Sequence, residues 1–155
     1  MQPLKAQLKD GLIDKINKAY EGLPINNMPN CVMFVEKNQN IAKELAKWVN
    51  NVTDTDYILI KDENNNEKML DDLYNELENS EKNYQNTGKR TIMFVENMDK
   101  FLKPETSDDT TIADFKDLMQ RVGEDYHTTI LFSGENPDKY ATGINELGRI
   151  DLEIK

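Results

Sequence analysis

The sequence predicts an α/β fold: a three-layer αβα sandwich around a five-stranded, mainly parallel sheet. Three observations predict it. Four short runs are nearly continuous in apolar residues, the pattern of strands buried on both faces. Stretches with apolar residues at helical spacing separate them, and strands that alternate with helices imply βαβ units with right-handed crossovers. The length of 155 residues, with 37% hydrophobic and 31% charged, suits one domain with its own core.

Taken in chain order, residues 1–22 are expected to hold an N-terminal helix. Its apolar residues are Leu4, Leu8, Leu12, Ile16 and Tyr20, with a break at Gly11. The segment "GLPINNMPN" then reads as a loop. Residues 31–155 form the sheet-and-helix core, so the domain is 1–155. Strands are expected at Cys31–Glu36 "CVMFVE", Tyr57–Lys61 "YILIK", Thr91–Glu96 "TIMFVE" and Thr129–Ser133 "TILFS". A fifth, Ile150–Ile154 "IDLEI", alternates apolar and acidic residues as an edge strand does. Ile41, Leu45, Trp48 and Val49 mark one core-facing helix, with Trp48 as a packing residue. Met69, Leu70, Leu73, Tyr74 and Leu77 mark a second, and Ile112, Phe115, Leu118 and Val122 a third. A short fourth helix is expected over 138–146, weakened by Gly143. Two polar loops, Lys61–Glu67 and Lys103–Thr111, follow the second and third strands.

Composition narrows the function. No apolar run approaches a membrane span, and "MQPLKAQLKDGL" lacks the apolar stretch of a signal peptide. A lone cysteine, Cys31, rules out an internal disulfide framework, fits a reducing, cytoplasmic compartment, and reads as core filler. The net charge is −10, three of the 19 basic residues are arginine, and no basic stripe tracks phosphates, so nucleic acid is not an expected partner. Eight carboxylates and one lysine lie between Asp62 and Glu81. They read as a solvated helix face or as a docking face for a basic partner. His127, the only histidine, reads as a loop residue.

The stretch "TIMFVENMDK" carries the sharpest question. A buried strand that ends in acidic groups is how many nucleotide-hydrolysing folds hold magnesium, which makes Glu96 and Asn97 candidate metal and water residues. Together with "MLDDLYNELENSEKN" before it, this stretch resembles the Walker B region of AAA+ ATPases. "DFKDLMQRVGEDYHTTILFSGENPDKY" is similar to that family's next helix and sensor-1 strand, and "ELGRIDLEI" to its Gly-Arg-Phe-Asp stretch. The resemblance runs from about Leu12 to Lys155. It implies a P-loop-like sheet of order 5-1-4-3-2, and a helical lid subdomain that does not follow the fifth strand here.

The resemblance also implies a nucleotide site, and the residues depart from it. A P-loop reads G-x-x-x-x-G-K-[ST], its glycines letting backbone N–H groups close around phosphate. The matching segment is "EKNQNIAK": Glu36 and Ile41 stand at the glycines, Ala42 at the lysine and Lys43 at the hydroxyl. Glu96 replaces the Walker B aspartate and Asn97 the catalytic glutamate, and an amide cannot act as a general base. Glu96 is then expected to hold loop N–H groups at the sheet edge. Asn136 stands where sensor 1 stands and reads equally as a turn residue before Pro137. Arg149 stands where a trans-acting arginine finger is found and is expected to face a partner; the local alternative is a pair with Asp151 or Glu146.

The expectation is therefore a catalytically inactive, AAA+-like pseudo-ATPase that needs no cofactor and contacts protein partners, an active AAA+ domain or subunit among them. One alternative is a divergent ATPase that binds ATP and Mg through Lys43 and Glu96. The other is a receiver-like signalling module with Glu36, Glu96, Ser133 and Lys155 at its strand ends.

Overall fold

A computed structural model describes residues 29–62, 64–145 and 149–154. The expected N-terminal helix lies outside the described residues. Along the chain run β1 (Cys31–Val35), α1 (Gln39–Thr53), β2 (Asp56–Ile60), α2 (Asn66–Thr87), β3 (Thr91–Val95), α3 (Asp109–Asp125), β4 (Thr128–Gly134) and β5 (Leu152–Ile154). Short 3-10 turns, Met98–Phe101 and Pro137–Lys139, follow β3 and β4.

The strands form one sheet of order β2-β3-β4-β1-β5, and every pairing is parallel. This is the expected order read from the other edge, with β4 beside β1. The register pairs Val35 with Gly134 and Ile60 with Val95, so neighbouring strands finish level at one edge.

Alternation along each strand explains the layers. Cys31, Met33, Met93, Val95, Ile130 and Phe132 point to the face covered by α2 and α3. Val32, Phe34, Ile92, Phe94 and Leu131 point to the other, where Ala42, Leu45, Ala46 and Val49 of α1 cover them. Connections β2→β3→β4 step across the sheet in one direction, and β1→β2 steps back. One crossover hand therefore puts α1 on the opposite face from α2 and α3.

Helix ends follow local chemistry. Asn38, Asn65 and Asp108 cap the starts of α1, α2 and α3 with side-chain oxygens. Gly88, at φ 74°, ends α2 with its N–H on the Tyr84 carbonyl at 2.7 Å. The helix expected over 138–146 is not formed among its described residues, 138–145. The Pro137–Lys139 turn and further turns through Asn145 stand there, and Gly143 has φ 93°, which no α-helix accommodates. Cys31 and most of the aliphatic stripe residues are buried as expected, while Ile41, Leu70 and Trp48 are half-buried and pack against the core. No helix among the described residues is long and apolar enough to cross a membrane.

Candidate functional site

In an open parallel sheet, ligands bind outside the carboxyl ends of the strands, where the connections diverge to opposite sides. Here that place lies between β1, whose connection runs toward β2, and β4, whose connection runs toward β5. A pocket of about 140 Å³ opens there, lined by residues at or just past the ends of β1, β3 and β4, among them Glu36, Asn97, Asp99 and Ser133. The fold thus gathers Glu36 and Asn97, distant in sequence, at one edge, and puts Glu96 beside them.

The connection after β1 decides what this edge can hold. Only residues 36–38 separate β1 from α1, and none of them is glycine, whereas a P-loop uses glycines to close its backbone N–H groups around phosphate. Glu36 N–H donates to the Gly134 carbonyl at 3.0 Å, tying the ends of β1 and β4 together. Its carboxylate turns back and accepts Asn38 N–H at 3.1 Å. The Asn38 side-chain oxygen accepts Asn40 N–H at 3.0 Å and Ile41 N–H at 3.3 Å. The first amides of a helix are the donors that would receive a phosphate. In α1 the chain's own oxygens hold them, and Glu36 adds a negative charge in front.

Lys43 is ion-paired with Glu96 at 3.0 Å, both side chains about three-quarters buried. Glu96 therefore differs from expectation: its carboxylate meets Lys43, while its own N–H extends the β2–β3 ladder to the Ile60 carbonyl at 2.9 Å. The reason is helical spacing, since Lys43 stands one turn along α1 from Gln39, which itself reaches over the end of β3. Ala42 is buried against the sheet. Tyr57 on β2 lies near the pair; burial first, then Glu44 and Glu96, push its hydroxyl up to about 12.

Asn97 adopts the left-handed conformation, φ 55° and ψ 25°, which asparagine tolerates better than most residues. Its side-chain amide donates to Asp62 Oδ2 at 3.2 Å, and Lys100 grips the same carboxylate at 2.7 Å. Gln39 is the residue that sequence reasoning missed. Its side chain donates to Ser133 Oγ at 2.5 Å and accepts Asn97 N–H at 3.5 Å, bridging β4 to the turn after β3. No motif singles out a glutamine at the first position of a helix.

Asp99 is bound on both oxygens, by the Tyr140 hydroxyl and by Lys103 at 2.7 Å. Burial, then the Asp99 contact, raises Tyr140 well above the ordinary tyrosine range. Asn136 is exposed outside the pocket and caps the following turn, accepting Asp138 N–H at 3.1 Å, so its turn role is the one observed. Arg149 is half-buried, and its Nη1 donates to the Gly143 carbonyl at 2.8 Å. Asp151 accepts the N–H groups of Asn30 and Cys31 at 3.2 and 3.3 Å, anchoring the approach to β5 against the start of β1. Glu146 and Lys155 lie outside the described residues. His127 stacks on Tyr84 at 3.8 Å and meets Glu81 through its ring and its N–H, each at 2.9 Å.

Among the described residues, no three His, Cys, Asp or Glu side chains converge as a metal site. No family model matches the chain, and no curated protein matches it significantly.

Proposed function

We propose that this chain is a catalytically inactive, AAA+-like interaction domain: a pseudo-ATPase that acts through protein contacts, in a cytoplasmic setting. The observation that carries the reading is the internal satisfaction of the α1 N-terminus. Glu36 and Asn38 occupy the amides that a phosphate would need. Pairing of Lys43 with Glu96 supports the same reading, since an ATP-binding role would require that pair to open. Ligand pockets usually enclose about 300–1,000 Å³, and the pocket at this edge has about 140 Å³. The receiver-like alternative is not carried further, because flavodoxin-like sheets have the order 2-1-3-4-5 and β4 here stands between β1 and β3.

The domain's partners on this reading are proteins, an active AAA+ domain or subunit among them. Arg149 would reach such a partner by exchanging the Gly143 carbonyl for an acceptor across the interface. The nucleotide claim has a direct test. Titrating Mg·ATP into the full chain should release no binding heat and leave Tm unchanged. A Kd below about 100 μM, or about −5.5 kcal/mol, would overturn the reading in favour of the divergent ATPase. In that event Lys43→Ala should abolish the binding.

A further inference from the structure

We infer that the cleft between α2 and α3 docks a lysine- or arginine-rich amphipathic helix of a protein partner. The inference rests on the interaction-domain reading and gives that domain a surface.

The cleft measures about 360 Å³ and lies on the outer side of the α2–α3 layer, away from the sheet edge described above. Leu70 and Tyr74 form an apolar floor, half-buried against the core. Exposed Asp71 of α2 and exposed Asp114 and Asp117 of α3 form the walls. Arg121 is the single cation on the lining, and it stands beside Asp117 at 3.6 Å. The surroundings have the same sign: α2 carries six carboxylates against two lysines, and α3 five against one lysine and one arginine.

Charge complementarity selects the occupant. Carboxylate walls repel phosphates and acidic peptides and attract ammonium or guanidinium groups. The apolar floor asks for more than charge. A groove between two helices accepts the apolar face of a third, whose flanking basic residues then meet the walls. Desolvating Leu70 and Tyr74 supplies affinity, and the three aspartates set sign and orientation.

The test uses the full chain and a synthetic peptide of about 15 residues with leucine and lysine at helical spacing. Binding is followed by fluorescence anisotropy and by amide chemical shifts. The expected result is saturable binding with shifts concentrated in residues 70–74 and 114–121. Asp114→Asn with Asp117→Asn should weaken it by about tenfold, and added salt should weaken it further. Leu70→Ser with Tyr74→Ser should weaken it by a similar factor, with circular dichroism confirming the fold.

Four results would overturn the proposal. The peptide does not bind. The aspartate variants weaken binding while the floor variants do not, which is diffuse charge attraction. The free protein dimerises through Leu70 and Tyr74, which makes a second copy the occupant. Carbodiimide treatment of the free protein links a lysine of residues 1–28 to Asp114 or Asp117, which makes this chain's own N-terminal segment the occupant. The Mg·ATP titration remains a separate readout, so peptide failure without ATP binding removes the cleft alone.

Discussion

A Cβ on Gly134 would overlap the Tyr140 hydroxyl and the Met33 methyl group, and it would lie 2.6 Å from Asp99 Oδ1. Glycine is therefore what lets the Tyr140–Asp99 contact close over the end of β4. Gly134→Ala should destabilise the protein by about 1–3 kcal/mol, the usual cost of overpacking a filled site, read as a lower urea midpoint. Combined with Tyr140→Phe, the loss should be smaller than the sum, because both changes act on one contact. A second residue-scale case is Glu81. Burial alone would raise its carboxyl; hydrogen bonds from the His127 N–H and ring and from Gln85 outweigh that and hold it below its ordinary 4.5. A carboxylate depressed on folding stabilises above its unfolded value, and that contribution fades as pH falls through the folded one. Glu81→Gln should lower Tm at about pH 7 and matter less at about pH 3, which thermal melts at both values would check. Nothing in the sequence announced this pair, since Glu81 and His127 are 46 positions apart.

At the scale of elements, α1 depends on its cap. Asn38→Ala removes the acceptor for Asn40 and Ile41 N–H and should cost about 1 kcal/mol, with Asn38→Gly costing only a few tenths. Urea denaturation of the three proteins would show the ranking. The four inner runs were legible as strands because their apolar continuity has one explanation, burial on both faces. The helices were legible from their stripes, which Leu45, Leu73 and Phe115 fill as expected. The stretch after Pro137 was not, because a short polar segment scores as helix until the positive φ of Gly143 is seen. At the site, the P-loop comparison marked what Glu36–Lys43 lacks. It hid what the segment does: Asn38 as a cap, Gln39 as a bridge and Lys43 as the partner of Glu96. Those roles depend on which strand ends the sheet brings together, and spacing along one chain does not encode that.

At the scale of the whole molecule, Cys31 reports on global unfolding. It is the only cysteine, fully buried in β1, and burial followed by the nearby Asp151 raises its thiol well above the ordinary range. Iodoacetamide should not label the native protein and should label it readily in urea, because only the exposed thiolate reacts. Appreciable labelling without denaturant would mean that β1 opens locally. The position of β1 between β4 and β5 also has a consequence for how the protein is made. Cys31 pairs with Ile130 and Val32 with Leu152, so both neighbours of β1 are translated about 100 residues after it. At about 5–20 residues per second, "CVMFV" leaves the ribosome roughly 5–20 s before either edge of it can be covered. Meanwhile β2 and β3, close in the chain, can pair on their own. The nascent chain thus carries a bare, sticky strand while the residues between β1 and β4 are made, and factors that shield such strands during translation should affect its yield more than its final stability.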